Sequence, residues 1–272
     1  MQAYLDNLIK NKEQLIQEFT KLSDYYGIDQ YDVENKEWSR FSDIYGAKDS
    51  QIILKNGNPI NGNLIFNRYI ATQQPISVFE AATHTINDFW QMVWDYDVNY
   101  IVNLNDKDHN TNYFLSDQFE VNNLMVSIIL INSESDTGIY FRLITIKNNI
   151  DNQTKTCTHI FYPKWKDHSV PPNIKEFSEL IKYVIKIRRS GEKMLIHCRA
   201  GVGRTGTYIL IDYIISELLE GNKLNIIETI KNMRMQRCTM IQTKAQFEFG
   251  ITVIENLLQE FLINANPDHL LQ

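Results

Sequence analysis

The sequence is poor in the features that mark several large classes of protein. It has three cysteines in 272 residues, Cys157, Cys198 and Cys238, odd in number and far apart. That spacing fits neither a disulfide framework nor a zinc site, and it points to a reducing compartment. Positive charge is in short supply. With 27 Lys and Arg against 33 Asp and Glu, the formal net charge is -6, so no global basic field exists to attract a nucleic-acid backbone. The most apolar runs, at residues 126–131 and 208–215, are far too short to span a bilayer, and Asp212 interrupts the second. Residues 1–6 lack a basic segment leading into an apolar run, Gln2 departs from the myristoylation pattern, and residues 266–272 carry no prenylation box. Six prolines and eleven glycines form no linker, and there is no internal repeat. The expectation is one domain over residues 1–272, monomeric and cytoplasmic, with no membrane span and no nucleic-acid partner.

What is present is a patterned globular chain. Leu5, Leu8, Ile9, Leu15, Ile16, Phe19 and Leu22 recur at helical spacing and predict an amphipathic helix over about residues 4–24. Short β-like runs follow at 64–70, 100–104, 124–131, 140–146 and 159–162, with a helical stretch at 82–95. The last third reads as a helix at 174–188, a strand at 194–197, then helices at 207–219, 226–233 and 245–262. Strands in the middle and helices gathered late predict an α/β (α+β) fold, a twisted mixed sheet flanked by helices.

The strand at 194–197 runs into the segment that stands out, His197-Cys198-Arg199-Ala200-Gly201-Val202-Gly203-Arg204-Thr205-Gly206-Thr207. Gly201 to Gly206 matches the G-x-G-x-x-G dinucleotide fingerprint, but the following segment reads as another helix rather than a second parallel strand ending in an acid. The alternative takes the cysteine and arginine together. A glycine-rich turn between them can curl so that successive backbone N–H groups converge, and the next helix adds its positive dipole end, which makes an anion cradle. Arg204 can hold two phosphate oxygens bidentately. The same field favours a thiolate at Cys198, the form in which cysteine is a nucleophile. Alone, a Cys six positions before an Arg is a weak signal, and a lone cysteine is more often buried packing.

With His197 before it and G-x-G-R-T-G around it, this segment resembles the signature loop of the protein tyrosine phosphatase superfamily. Other segments carry the resemblance across residues 37–262. Trp165-Lys166-Asp167-His168-Ser169-Val170-Pro171 resembles the acid loop of the tyrosine-specific class, usually Trp-Pro-Asp-x-Gly-Val-Pro, with Lys166 for Pro and Ser169 for Gly. Ile241-Gln242-Thr243-Lys244-Ala245-Gln246 resembles the glutamine loop, and Trp38-Ser39-Arg40-Phe41-Ser42-Asp43 the phosphotyrosine-recognition loop. Asn67-Arg68-Tyr69 is a decoy for the latter. It runs into Thr72-Gln73-Gln74-Pro75, which is similar to the family's Thr-Gln-Gly-Pro.

The resemblance implies a metal-free and cofactor-free enzyme that hydrolyses phosphotyrosine in proteins through a phosphocysteine. Cys198 would be the nucleophile, Arg204 and the amides of Arg199, Ala200, Gly201, Val202 and Gly203 the phosphate site, and Asp167 the general acid and then base. Gln242 would position water with Gln246 in support, Thr205 would stabilise the leaving thiolate, and His197 would orient the loop. Phe41 would stack on the substrate ring and Asp43 hold the substrate backbone. An acid of the loop at 105–113, Asp106 or Asp108, would buttress Arg204, while Arg234 is expected on a solvated surface. Two other readings stand beside this one. A phosphotyrosine-binding module without turnover is the first, and a phosphoinositide or dual-specificity phosphatase the second.

Overall fold

The computed structural model describes residues 1–24, 37–81, 83–107, 113–133 and 138–265. The amino-terminal helix is two helices, α1 (Gln2–Lys10) and α2 (Lys12–Thr20), rather than the one expected. The break falls at Asn11, at φ -106° and ψ 13°, whose side-chain amide turns back on the Asn7 carbonyl and side chain. Such local bonding competes with helix continuation. The apolar stripe still works across the break, burying Leu5, Leu8 and Phe19.

The remaining helices are α3 (Ile86–Asp95), α4 (Ile174–Ile187), α5 (Gly203–Leu219), α6 (Ile226–Gln236) and α7 (Lys244–Ala265). The strands are β1 (Gln51–Ile53), β2 (Pro59–Ile65), β3 (Tyr69–Gln73), β4 (Val98–Asn103), β5 (Gln118–Val121), β6 (Leu124–Ser133), β7 (Tyr140–Asn148), β8 (Thr154–Phe161) and β9 (Lys193–Cys198). They form one sheet in the order β1-β2-β3-β9-β4-β8-β7-β6-β5, mixed as expected. The apolar run at 64–70 is two antiparallel strands, because Phe66 and Asn67 take φ of 53° and 54° and turn the chain. Asparagine tolerates that conformation, and Phe66 is held there by stacking on Tyr213 at 4.2 Å. The short edge strands β1 and β5 have too few apolar positions to declare themselves in sequence.

Two apolar layers enclose the sheet. Phe89, Trp90 and Val93 of α3 fill one, while α1, α2 and α4–α7 fill the other. Helix α5 is buried on nearly every face, and its hydrophobic residues show no one-sided stripe. Among the described residues no helix is long and apolar enough to cross a membrane.

The feature that positions the site is the run of four parallel strands at the centre, β3, β9, β4 and β8. Their carboxyl ends point the same way and are tied together just beyond the ladders. Gln74 N donates to Arg199 O, Leu104 N to His197 O, and Tyr162 N to Asn103 O. Segments distant in sequence therefore emerge side by side, in the crevice where open α/β sheets place their ligands.

Candidate active site

Helix α5 begins at Gly203, inside the glycine-rich segment and four residues before the helix predicted from the sequence. Its N-cap is Val202, which makes no side-chain capping bond. The first-turn N–H groups are therefore left for the loop and for an anion. Gly201 takes φ +71°, and a Cβ there would lie 2.1 Å from the Thr72 carbonyl oxygen of β3, so only glycine allows the loop to curl against the sheet.

The loop is held from behind by Arg237, which is 1% exposed. Its Nε donates to Gly201 O at 2.9 Å and its Nη2 to Ala200 O at 2.9 Å, with Asn63 and Asn61 taking the other donors. Carbonyls drawn outward in this way leave the amides facing inward.

Cys198 ends β9 and is buried at the mouth of this cradle. Burial by itself would push its thiol up. The Arg204 charge, the Thr205 hydroxyl and the Thr205 and Gly201 backbone groups outweigh burial, and the thiol lies below its ordinary value. The Thr205 hydroxyl is buried with no other partner among the described residues. His197 is fully buried, and that burial takes its ring down to about 3, so the ring is neutral.

Arg204 is 1% exposed, with both terminal nitrogens engaged and one donor unused. Nη1 donates to Leu104 O at 3.2 Å and Trp165 O at 2.9 Å and lies 3.4 Å from Asp106 Oδ2. Of the two acids considered for that buttress, Asp106 is the one in place, and Asp108 lies outside the described residues. Nη2 meets Asp167 Oδ1 at 2.9 Å, and Nε has no partner among the described residues. A buried guanidinium with an unused donor suits an added anion.

Asp167 therefore stands over the cradle, half-buried, on a turn fastened at several points. Trp165 is fully buried and its indole N–H donates to Ser169 O at 2.7 Å. Ser169 Oγ donates to Lys166 O at 2.6 Å and Ser169 N to the same oxygen at 3.2 Å. Lys166 is exposed, and His168 takes φ +54°.

Gln242 is exposed at the rim, and a Cβ on Gly203 would meet its Oε1 at 2.5 Å, so its amide lies directly over the loop. Gln246 is buried beneath it. Its Oε1 accepts from Gln242 N and Thr243 N, while Thr243 Oγ1 accepts from Gln246 N, a reciprocal cap that fixes the start of α7.

Arg234 is the clear departure from the expected surface role. It is 2% exposed, and its guanidinium donates to Met240 O, Ile241 O and Ser23 O and pairs with Asp24. Thr239 and Ile241 take φ of 53° and 65° here, and this buried arginine holds the strained approach to the glutamine loop.

Phe41 is half-buried and Asp43 exposed on the recognition segment. Arg40, unassigned in the sequence reading, staples that segment to the end of β3. Its N donates to Gln73 Oε1 at 2.7 Å, Nη2 to Pro75 O at 2.9 Å, and Nη1 pairs with Glu80. Arg237, Arg40 and Gln73 escaped the sequence reading because each binds backbone across long sequence separations.

The geometry is thus a buried, activated thiol under converging amides, an arginine with an unused Nε donor, a carboxyl above and a carboxamide at the side. The family model described as protein-tyrosine phosphatase matches residues 35–256. The chain belongs to the protein-tyrosine phosphatase family. Among its relatives is tyrosine-protein phosphatase non-receptor type 20 of Rattus norvegicus, 30% identical over 276 residues, covering 93% of this chain and 63% of that protein. Protein-tyrosine-phosphatase PTP1 of Arabidopsis thaliana is 30% identical over 259 residues, covering 85% of this chain and 73% of the plant protein. Receptor-type tyrosine-protein phosphatase N2 of Mus musculus is 30% identical over 282 residues, 93% of this chain but 27% of that protein. The chain thus spans less than two thirds of the length of several of its relatives. Family membership excludes the dinucleotide reading of Gly201–Gly206, and the segment after α5 is helix α6 rather than a strand.

Proposed function

We propose that the protein hydrolyses phosphotyrosine in protein substrates through a phosphocysteine on Cys198. The observation that carries this reading is the thiol below its ordinary value beneath a guanidinium that still has an unused donor.

The phosphate dianion is bound by the inward amides of Arg199, Ala200, Gly201, Val202 and Gly203 and by Arg204. Arg204 Nη2, spent on Asp167 in the free protein, transfers to a phosphate oxygen. Asp167 is thereby released to face the leaving oxygen and, freed of the guanidinium, takes up from solvent the proton it will deliver. Cys198 attacks phosphorus in line, the P–O bond to the tyrosine breaks, and protonated Asp167 delivers its proton to the phenolate oxygen. Asp167, now a carboxylate, takes a proton from the water that Gln242 orients. The hydroxide attacks phosphorus and the thiolate leaves, stabilised by Thr205. Preorganised donors supply the larger share of the acceleration. His197 orients the loop, Phe41 provides an aromatic wall for the substrate ring, and Asp43 takes a substrate backbone N–H.

The test is phosphate release from a phosphotyrosine peptide set beside an inositol-lipid phosphate. Peptide turnover by the wild-type protein, lost in Cys198→Ser while peptide binding persists, supports the reading. Lipid turnover exceeding peptide turnover, or binding without turnover by the wild-type protein, overturns it.

A further inference from the structure

A line of polar side chains runs from the residue before the nucleophile across the α3 face of the sheet, from β9 to β7. On β9, His197 Nε2 lies 2.9 Å from Tyr113 Oη. The same hydroxyl lies 2.7 Å from His159 Nε2 on β8. His159 Nδ1 in turn lies 3.3 Å from Nη1 of Arg142, its cross-strand partner on β7. His197, Tyr113 and His159 are each no more than 1% exposed. Arg142 is half-buried, its guanidinium over the rings of Phe114 and Tyr140 at 5.2 and 5.8 Å.

The protons on this line can be counted. A guanidinium only donates, so His159 Nδ1 is the acceptor in its contact with Arg142. Neutral His159 then carries its proton on Nε2 and gives it to Tyr113 Oη, whose other acceptor site is occupied by the Asn103 side chain. The phenol has one proton left to give, and His197 Nε2 receives it. Neutral His197 therefore carries its own proton on Nδ1, towards the Cys198 main chain that the ring hydrogen-bonds and 3.5 Å from the Asn105 amide, whose oxygen has no partner among the described residues. Both rings stay neutral. Burial, with the Arg142 charge, keeps His159 well below its ordinary value, and burial takes His197 to about 3.

We propose that Arg142 is a positioning residue that sets the tautomers of His159 and, through Tyr113, of His197, so that His197 N–H is aimed at the main chain of the nucleophile. Without Arg142 the acceptor at His159 Nδ1 loses its donor, and the line is biased only from its other end, by the bond of His197 to the Cys198 main chain. The phenol proton can then turn towards His159, which leaves His197 protonated on Nε2 and its bare Nδ1 against Cys198.

This inference rests on the reading of Cys198 as nucleophile, and its test is separable from that reading. Nitrogen-15 spectra of the labelled protein report the ring tautomers whether or not the protein turns over. The expected wild-type result is His159 protonated on Nε2 and His197 on Nδ1. Arg142→Met, which keeps the aliphatic stem, should give mixed or reversed tautomers at both rings. It should lower kcat on a phosphotyrosine peptide roughly fivefold, the range of one oriented hydrogen bond, with KM within about twofold. Arg142→Lys, which restores a charged donor, should recover both signals. Tautomers unchanged in Arg142→Met, or wild-type His197 protonated on Nε2, would overturn the proposal. Loss of turnover in Cys198→Ser tests the nucleophile alone.

Discussion

At Cys198 two effects oppose each other, burial favouring the thiol and the charge and donors around it favouring the thiolate. The second set prevails, and the consequence is measurable. The rate of iodoacetate alkylation should fall as pH drops through the lowered pKa, because protonation removes the nucleophile. Its midpoint should lie below that of an ordinary thiol, and Arg204→Met should move it upward. An unchanged midpoint in that variant would remove Arg204 as the source. Asp167 is the second residue on which the proposed mechanism depends. Asp167→Asn keeps the size and loses the proton donor, and kcat should fall about 10²- to 10⁴-fold, the range for one general acid–base group. A variant with more than a tenth of wild-type turnover would exclude Asp167 from proton transfer. Cys198 and Arg204 were legible in the sequence because the chemistry needs particular side chains on one short loop, and Asp167 through the likeness of its own segment to an acid loop. Arg234 was misread, since a single arginine in a polar stretch carries no mark of the carbonyls that close around it in the fold.

Elements, rather than single side chains, decide how the acid reaches its place. The Ser169 hydroxyl bond to Lys166 O closes the acid turn, a contact glycine cannot make. Lys166 leaves the turn without the restraint of a proline ring. The two departures pull against each other, one fastening the turn and one freeing it. Ser169→Gly should therefore lower kcat roughly fivefold through the loss of one hydrogen bond, with the binding of a phosphotyrosine peptide to the Cys198→Ser background little changed. Lys166→Pro should change kcat and its pH profile, since loop closure limits turnover in many enzymes. If both parameters match wild type, the substitutions are silent in this turn. The signature loop depends in the same way on an element outside itself. Arg237→Met strips hydrogen bonds from Ala200 O and Gly201 O and should cost about 3 kcal/mol in a denaturant midpoint comparison. The helix and strand pattern around the site was largely readable from apolar period. The break at Asn11 and the turn at Phe66-Asn67 were not, because both rest on backbone conformations that an apolar count cannot register.

On the scale of the whole molecule, the site exists because four parallel strands end together, and the packing that keeps them aligned is vulnerable at a few buried polar points. Asp212, inside α5, accepts a hydrogen bond from Tyr69 Oη and pairs with Arg188. Asp212→Ala leaves that arginine uncompensated and should cost about 3–5 kcal/mol, read as a fall in Tm of roughly 10 °C. The buried histidines give the fold a pH dependence of definite sign. His159 and His197 are held neutral with lowered pKa values, His197 at about 3. In the unfolded chain both bind protons below about 6.5, so the unfolded state takes up more protons and stability falls as pH drops from about 6.5 towards 3. A urea midpoint that declines between pH 7 and 5 is the expected result, and a flat one would contradict the buried neutral pair.

The proposed mechanism turns on the phosphocysteine. Rapid acid quench of the protein mixed with a phosphotyrosine peptide, followed by peptide mass mapping, tests it most directly. The account predicts one phosphoryl group on Cys198 during turnover, enriched in Gln242→Ala, where the water is unplaced. Steady peptide hydrolysis with no phosphoryl group on Cys198 in either protein would contradict it.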